Sequence, residues 1–332
     1  MDRRGYPPHG VSVSDIAQHI AVSRKVEFED LDWETARKVG LTPREIESVA
    51  YFADIESQTV YYFLEVAKLQ VARDPELLTF LTMWNYEEYF HSYALTRLLT
   101  ECGVPVESAT DRSTKIRAGA RLKARIEDLT QMLIAKLMPR TFVALWMFWG
   151  SLQECLTTQA YEVLARDTQN PVLAELCRRI AKQERRHFAY YFGQARRRLE
   201  GQSWAQRFTR WIATKFYAPV GNGVKTDAEG ARLVAQLFPG DRIFEVMGYV
   251  EKRMAQLPGM DGLDCCTRWA AKVQPMLPPE TRATSIDRGL SRPLWTGEAG
   301  PFTPPRAAPR GPVPADSAPS ANSAAGGRGL AS

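Results

Sequence analysis

The sequence predicts an all-α protein: a bundle of long helices followed by shorter C-terminal helices. Three observations carry this. Strand signals are nearly absent along the 332 residues. Long helical segments open at Thr42-Pro43-Arg44-Glu45, Asp74-Pro75 and Asn170-Pro171, each a polar cap followed by Pro at the first helical position. The helical body also contains the spacing Glu-x-x-His twice, at Glu88 to His91 and Glu184 to His187.

Residues 1–40 read as an N-terminal arm with one short helix near Val13–Val22. The capping box at Thr42 starts a helix expected to run to about Ala72. Asp74-Pro75 starts a second, ending near Gly103, and one tight turn between the two makes them antiparallel. A basic amphipathic helix is expected over 113–138, broken by Pro139. A third long helix covers about 140–166, and a fourth opens at Pro171 and ends before Gly201. Shorter helices follow near 203–216, 227–238, 241–256 and 263–274. The bundle and its C-terminal helices thus span 41–275, and 276–332 reads as a disordered tail rich in Pro, Ala and Gly.

Composition narrows the function classes. Apolar residues make up 45%, enough for a sizeable core, and the net charge of +5 argues only mildly for an acidic partner. The longest apolar run, Phe142 to Gly150, is too short for a bilayer and follows Lys136 and Arg140. The N-terminus lacks the apolar core of a signal peptide. Five Cys without paired spacing read as reduced thiols of a cytoplasmic protein. Aromatics do not interleave with the basic runs, which speaks against nucleic acid.

Residues three apart share a helix face, so each Glu-x-x-His presents a carboxylate and an imidazole together. A bundle that holds two metal ions needs two such pairs plus one Glu from each of two partner helices. Glu56 and Glu154 fill those places. Glu154 follows Glu56 by 154 − 56 = 98 residues, and Glu184 follows Glu88 by 184 − 88 = 96, so two similar halves repeat. Glu65 competes with Glu56 on depth, but its offset to Glu154 (154 − 65 = 89) fits the repeat worse. The expected ligands are Glu56, Glu88, His91, Glu154, Glu184 and His187. Carboxylate and imidazole donors without sulfur suit iron or manganese, and two irons match four carboxylates in charge.

As a set these segments resemble the soluble acyl-acyl-carrier-protein desaturases, ferritin-like di-iron enzymes. The resemblance runs from about Leu41 to Val273. It rests on Trp84-Asn-Tyr-Glu87-Glu88-Tyr-Phe-His91, on Ser151-Leu-Gln-Glu154-Cys-Leu-Thr157 and on Gln183-Glu184-Arg185-Arg186-His187, with Pro258-Gly-Met-Asp-Gly-Leu263 as a weaker match. It implies an O2-dependent desaturase that places a double bond in a fatty acyl chain carried by acyl carrier protein or coenzyme A. Glu88 and Glu184 would bridge the irons, with Glu56 and Glu154 as terminal carboxylates. Thr157 would lie beside the O2 position as a hydrogen-bond donor or proton relay. Electrons would come from a ferredoxin-like donor, and the enzyme would be a homodimer. Two departures stand out: Gln183 replaces the usual Asp before the second Glu, and Phe90 stands where Arg is common.

Trp146, Met147, Phe148 and Trp149 are candidates either for an acyl pocket or for core. Basic runs at 115–125 and at Arg178, Arg179, Lys182 and 196–198 either steer an acidic carrier or form a solvated face. Two rival functions remain. One is a di-iron monooxygenase that hydroxylates carbon or oxidises an amine; the absence of a further His in the long helices argues against the amine version. The other is a non-catalytic iron-binding or storage protein.

Overall fold

The computed structural model describes residues 13–67, 74–107, 111, 135–221 and 224–284. Among them every regular element is helical and none is a strand. We number the helices α1 (Val13–Val22), α2 (Trp33–Val39), α3 (Pro43–Ser57), α4 (Thr59–Ala67), α5 (Pro75–Glu101), α6 (Pro139–Asp167), α7 (Pro171–Leu199), α8 (Ser203–Phe216), α9 (Asp227–Leu237), α10 (Arg242–Met254) and α11 (Cys265–Val273). Short 3₁₀ turns follow at Gln274–Met276 and Pro279–Thr281. No described helix is long and apolar enough to cross a membrane.

The starts of the long helices are chemically fixed. Asp74 accepts from the amides of Glu76 and Leu77 at 3.1 and 3.4 Å, and Asn170 accepts from Val172 and Leu173 at 3.0 and 3.2 Å. Both caps precede Pro at the first helical position, so α5 and α7 begin alike. The capping box predicted at Thr42 with Glu45 forms, and a second forms at Thr226 with Glu229. The chain turns from α6 into α7 within three residues, and this pair packs along its length, as does α3 with α5. These four helices meet around a shared interior. α1 and α2 lie against α5 and α7, while α8 and α10 cover α6.

Three expectations need correcting. The helix expected from Thr42 to Ala72 is divided at Gln58, directly after Glu56. Here the hydroxyls of Ser57 and Thr59 bond back to the carbonyls of Asp54 and Glu56 at 2.6 and 2.8 Å, competing with the helical ladder. The arm holds a second helix, α2, capped by Asp32 through the Thr35 amide. The ordered body also continues past 275. Arg282 donates to Leu277 O at 2.8 Å, and the Thr284 amide donates to Asp241 at 2.9 Å. The basic segment 113–134, the tail from 285 and the Glu65 side chain lie outside the described residues.

The core runs through all these helices. Trp146, Met147 and Phe148 are core residues within α6. Between α6 and α7, Gly150 faces the Tyr191 ring, and an added Cβ would sit 2.5 Å from it. Tyr191 is itself held edge-on by Phe80 and Trp84. Gly150→Ala gains up to about 1 kcal/mol of helix propensity but overpacks this contact. A net loss of about 1–2 kcal/mol is expected in urea denaturation; an unchanged midpoint would mean the ring moves aside freely.

Candidate metal centre

All six residues expected at the site converge, and each is at most 6% exposed. Glu56 comes from α3, Glu88 and His91 from α5, Glu154 from α6, and Glu184 and His187 from α7. They form two overlapping groups able to hold a metal ion: Glu56, Glu88, His91 and Glu184, and Glu88, Glu154, Glu184 and His187. Within each, the donor atoms lie within 4.8 Å of one another. Glu88 and Glu184 belong to both groups.

Both imidazoles turn Nδ1 inward. His91 Nδ1 faces Glu184 at 3.2 Å and Glu88 at 3.5 Å; His187 Nδ1 faces Glu88 at 3.0 Å and Glu184 at 3.2 Å. Each Nε2 points outward and donates to a fixed acceptor. For His91 the acceptor is the Gln183 carbonyl, for His187 the Glu87 carboxylate, both at 2.7 Å. These contacts leave Nδ1 of each ring as the lone-pair donor. The buried His91 Nδ1, Glu88 Oε1 and Glu184 Oε1 have no hydrogen-bond partner of good geometry. Orphaned oxygen and nitrogen donors that converge in a buried interior fit hard or borderline metal ions.

Each single carboxylate is also held from a neighbouring helix. The Tyr161 hydroxyl donates to Glu56 at 2.7 Å, and the Trp84 indole N–H donates to Glu154 at 2.9 Å. Glu87 accepts from the Arg24 amide at 2.8 Å and from Arg186 at 3.4 Å. Gln183 donates its amide N–H to the Arg24 carbonyl at 2.9 Å. The sequence singles out Gln183 as a departure from the family pattern but assigns Glu87 no role. The repeat held the signal, because Glu87 precedes Glu88 as Gln183 precedes Glu184.

Without cations, protons balance the cluster. Burial, reinforced by Glu88, pushes the Glu56 carboxyl well up; burial, reinforced by Glu184, does the same for Glu154. Burial opposes a charged imidazole at His91, but the adjacent carboxylates of Glu184 and Glu88 outweigh it and raise it to about 10. His187 is likewise raised despite burial, by Glu184, Glu87 and Glu88. Glu87 stays ionised: burial raises it, yet His187 and Arg186 hold it near 2. Two divalent ions would displace these protons and leave neutral imidazoles as donors.

The remaining residues sort as follows. Thr157 is buried three residues beyond Glu154 on α6. Cys155, next to Glu154, is packed with its thiol pushed up to about 12 by burial. The long helices hold no further His, but the N-terminal arm brings one near the cluster. His19 on α1 is buried with its ring centroid 6.1 Å from that of His187, and its Nε2 has no partner. A short helix far away in sequence hid it. Several expected basic residues are held in ion pairs, Arg179 with Asp30 and Glu175, Arg198 with Asp74.

Among known proteins, no family model, no curated protein and no solved structure matches this chain.

The two histidines differ in what stands behind them: a charged carboxylate for His187, a neutral amide for His91. A carboxylate partner makes an imidazole the stronger donor. Titration calorimetry of the metal-free chain with Mn2+ should therefore show two unequal steps. Glu87→Gln should weaken the tighter by about 10- to 100-fold, and Gln183→Glu should strengthen the other. Equal steps in the parent chain would refute the inequivalence.

Proposed function

We propose that the chain is a ferritin-like di-iron protein acting as an O2-dependent desaturase of fatty acyl chains, similar to the soluble acyl-acyl-carrier-protein desaturases. One observation carries the di-metal part: two four-residue donor groups share Glu88 and Glu184. Sharing is what two ions bridged by two carboxylates require. Glu56 and His91 would complete one position, Glu154 and His187 the other. Iron bound there would supply the electrons for activating O2 and breaking an unactivated C–H bond.

The chain's own residues orient and insulate. Tyr161 and Trp84 each hold one oxygen of a terminal carboxylate and leave the other free to turn inward. Gln183 and Glu87 fix the imidazole tautomers. Phe52, Phe80, Tyr161 and Tyr191 are fully buried in the same interior and exclude water. Thr157, one turn along α6 from Glu154, is the residue we assign to holding or passing a proton. The resemblance supplies the rest of the reading: an acyl chain on acyl carrier protein or coenzyme A, a ferredoxin-like electron donor, a homodimer and a cytoplasmic setting.

A second reading, a di-iron monooxygenase acting on carbon or on an amine, gains from one observation. His19 brings a further imidazole, its Nε2 without a hydrogen-bond partner, close to His187.

The deciding experiment is anaerobic iron loading followed by O2 and product analysis on acyl carriers. Two irons per chain and an unsaturated product are expected. A hydroxylated or N-oxidised product would select the second reading, and no bound iron would overturn both. His187→Ala and Glu154→Ala should each bind fewer than two irons; two irons in either variant would contradict the ligand set. Thr157→Val should keep both irons but consume more O2 per product.

A further inference from the structure

A second cluster of metal-ligating side chains lies on other helices. After α10 the chain reverses through 255–264, with Gly259 and Gly262 at φ +79° and +64°. This turn sets Glu251 of α10 against the first turn of α11, which begins Cys265-Cys266-Thr267. The donor atoms of Glu251, Cys265 and Cys266 all lie within 4.8 Å of one another, and all three residues are buried. The two Sγ atoms are 3.8 Å apart, and both thiols are free.

That separation is informative. Two thiolates at corners of a tetrahedron, each about 2.3 Å from a zinc ion, stand about 3.8 Å from each other. Glu251 is already aimed. Its Oε1 accepts from the Thr267 amide at 2.8 Å, and the Thr267 hydroxyl lies 3.2 and 3.1 Å from its two oxygens. A carboxylate has about four lone-pair positions, so Oε2 retains one for an ion. Thr267 then plays the orienting part that outer partners play around metal ligands. Charge also closes. One carboxylate and two thiolates against a divalent ion leave one negative charge, and the α11 N-terminus favours it.

We infer that Glu251, Cys265 and Cys266 form a separate structural site for a thiophilic divalent cation of the zinc type, with water at the fourth position. Binding forms two metal–sulfur bonds and one metal–oxygen bond. Each thiol releases one proton to solvent, and nothing is oxidised or reduced. The site is chemically unlike the carboxylate–imidazole centre, which offers no sulfur, so the two select different metals. Its effect is to clamp α11 onto α10.

Cobalt reports on the assignment independently of any activity. The full chain, stripped of metal by chelation, is titrated with Co2+. A thiolate-to-cobalt charge-transfer band in the near ultraviolet is expected, saturating at one ion per chain and abolished by excess Zn2+. Cys265→Ser and Cys266→Ser should each remove the band. Glu251→Gln, which retains an acceptor for Thr267, should weaken cobalt binding on the order of tenfold or more while the helical circular dichroism stays unchanged. Glu88→Gln and Glu184→Gln, at the other centre, should leave the band intact. Full cobalt loading of the parent chain without such a band overturns the site. A band that survives both Cys variants overturns the ligand assignment.

Discussion

The structure depends on one constraint: ionisable groups buried in a helix bundle must be neutralised where they lie. Glu56, Glu87, Glu88, Glu154 and Glu184 are all buried in the same interior. Removing even one unpaired carboxylate from water costs more than a typical domain's whole stability. Every one of the five therefore meets a histidine, a hydroxyl, an indole or another carboxyl. Such a core is a poor device for stability alone, since well-packed apolar side chains of similar volume would serve as well or better. Its persistence on four separate helices is what makes a cation the natural complement.

Depth is set far from the centre. α5 and α7 start from equivalent caps, Asp74 and Asn170, and Glu88 and Glu184 each follow their cap by 14 residues (88 − 74 and 184 − 170). Equal starts and a rigid rise of about 1.5 Å per residue bring the two Glu-x-x-His pairs to one level. The caps are anchored in turn. Asp74 pairs with Arg198 at the far end of α7, and Asn170 donates to Gly40 O below α2 at 2.9 Å. Symmetry then fails at a chosen place. Gln183 and Glu87 occupy matching positions with different charge, so the two halves share a geometry but not an electrostatic field.

Local rules made much of this legible in the sequence. Caps, Pro positions and the three-residue Glu–His spacing act within one helix, and the starts of α3, α5, α7 and α9 follow from them. What was hidden depends on contacts between distant segments. No spacing rule places His19 beside His187, Tyr161 against Glu56 or Trp84 against Glu154, because each pair joins different helices. The break after Glu56 was missed because Ser57 and Thr59 compete with the helix through their own hydroxyls, a choice made by packing. The cysteine pair looked like unpaired thiols because Glu251 reaches it only through the turn after α10.

The N-terminal segment, which reads from the sequence as a lead-in arm, belongs to the centre. The amide of Arg24 donates to Glu87, and its carbonyl accepts from Gln183. One peptide unit on each side of a single residue therefore closes a chain of contacts from His187 through Glu87 and Gln183 to His91. Because the backbone makes both bonds, residue identity at this position carries no signature of the role, and sequence patterns cannot reveal it. The consequence is mechanical. Displacing the segment at 23–28 would remove one backbone hydrogen bond from Glu87 and one from Gln183 together, so the supports of the two imidazoles are held or loosened as a pair. The partners of the two halves differ in charge, yet they share one latch.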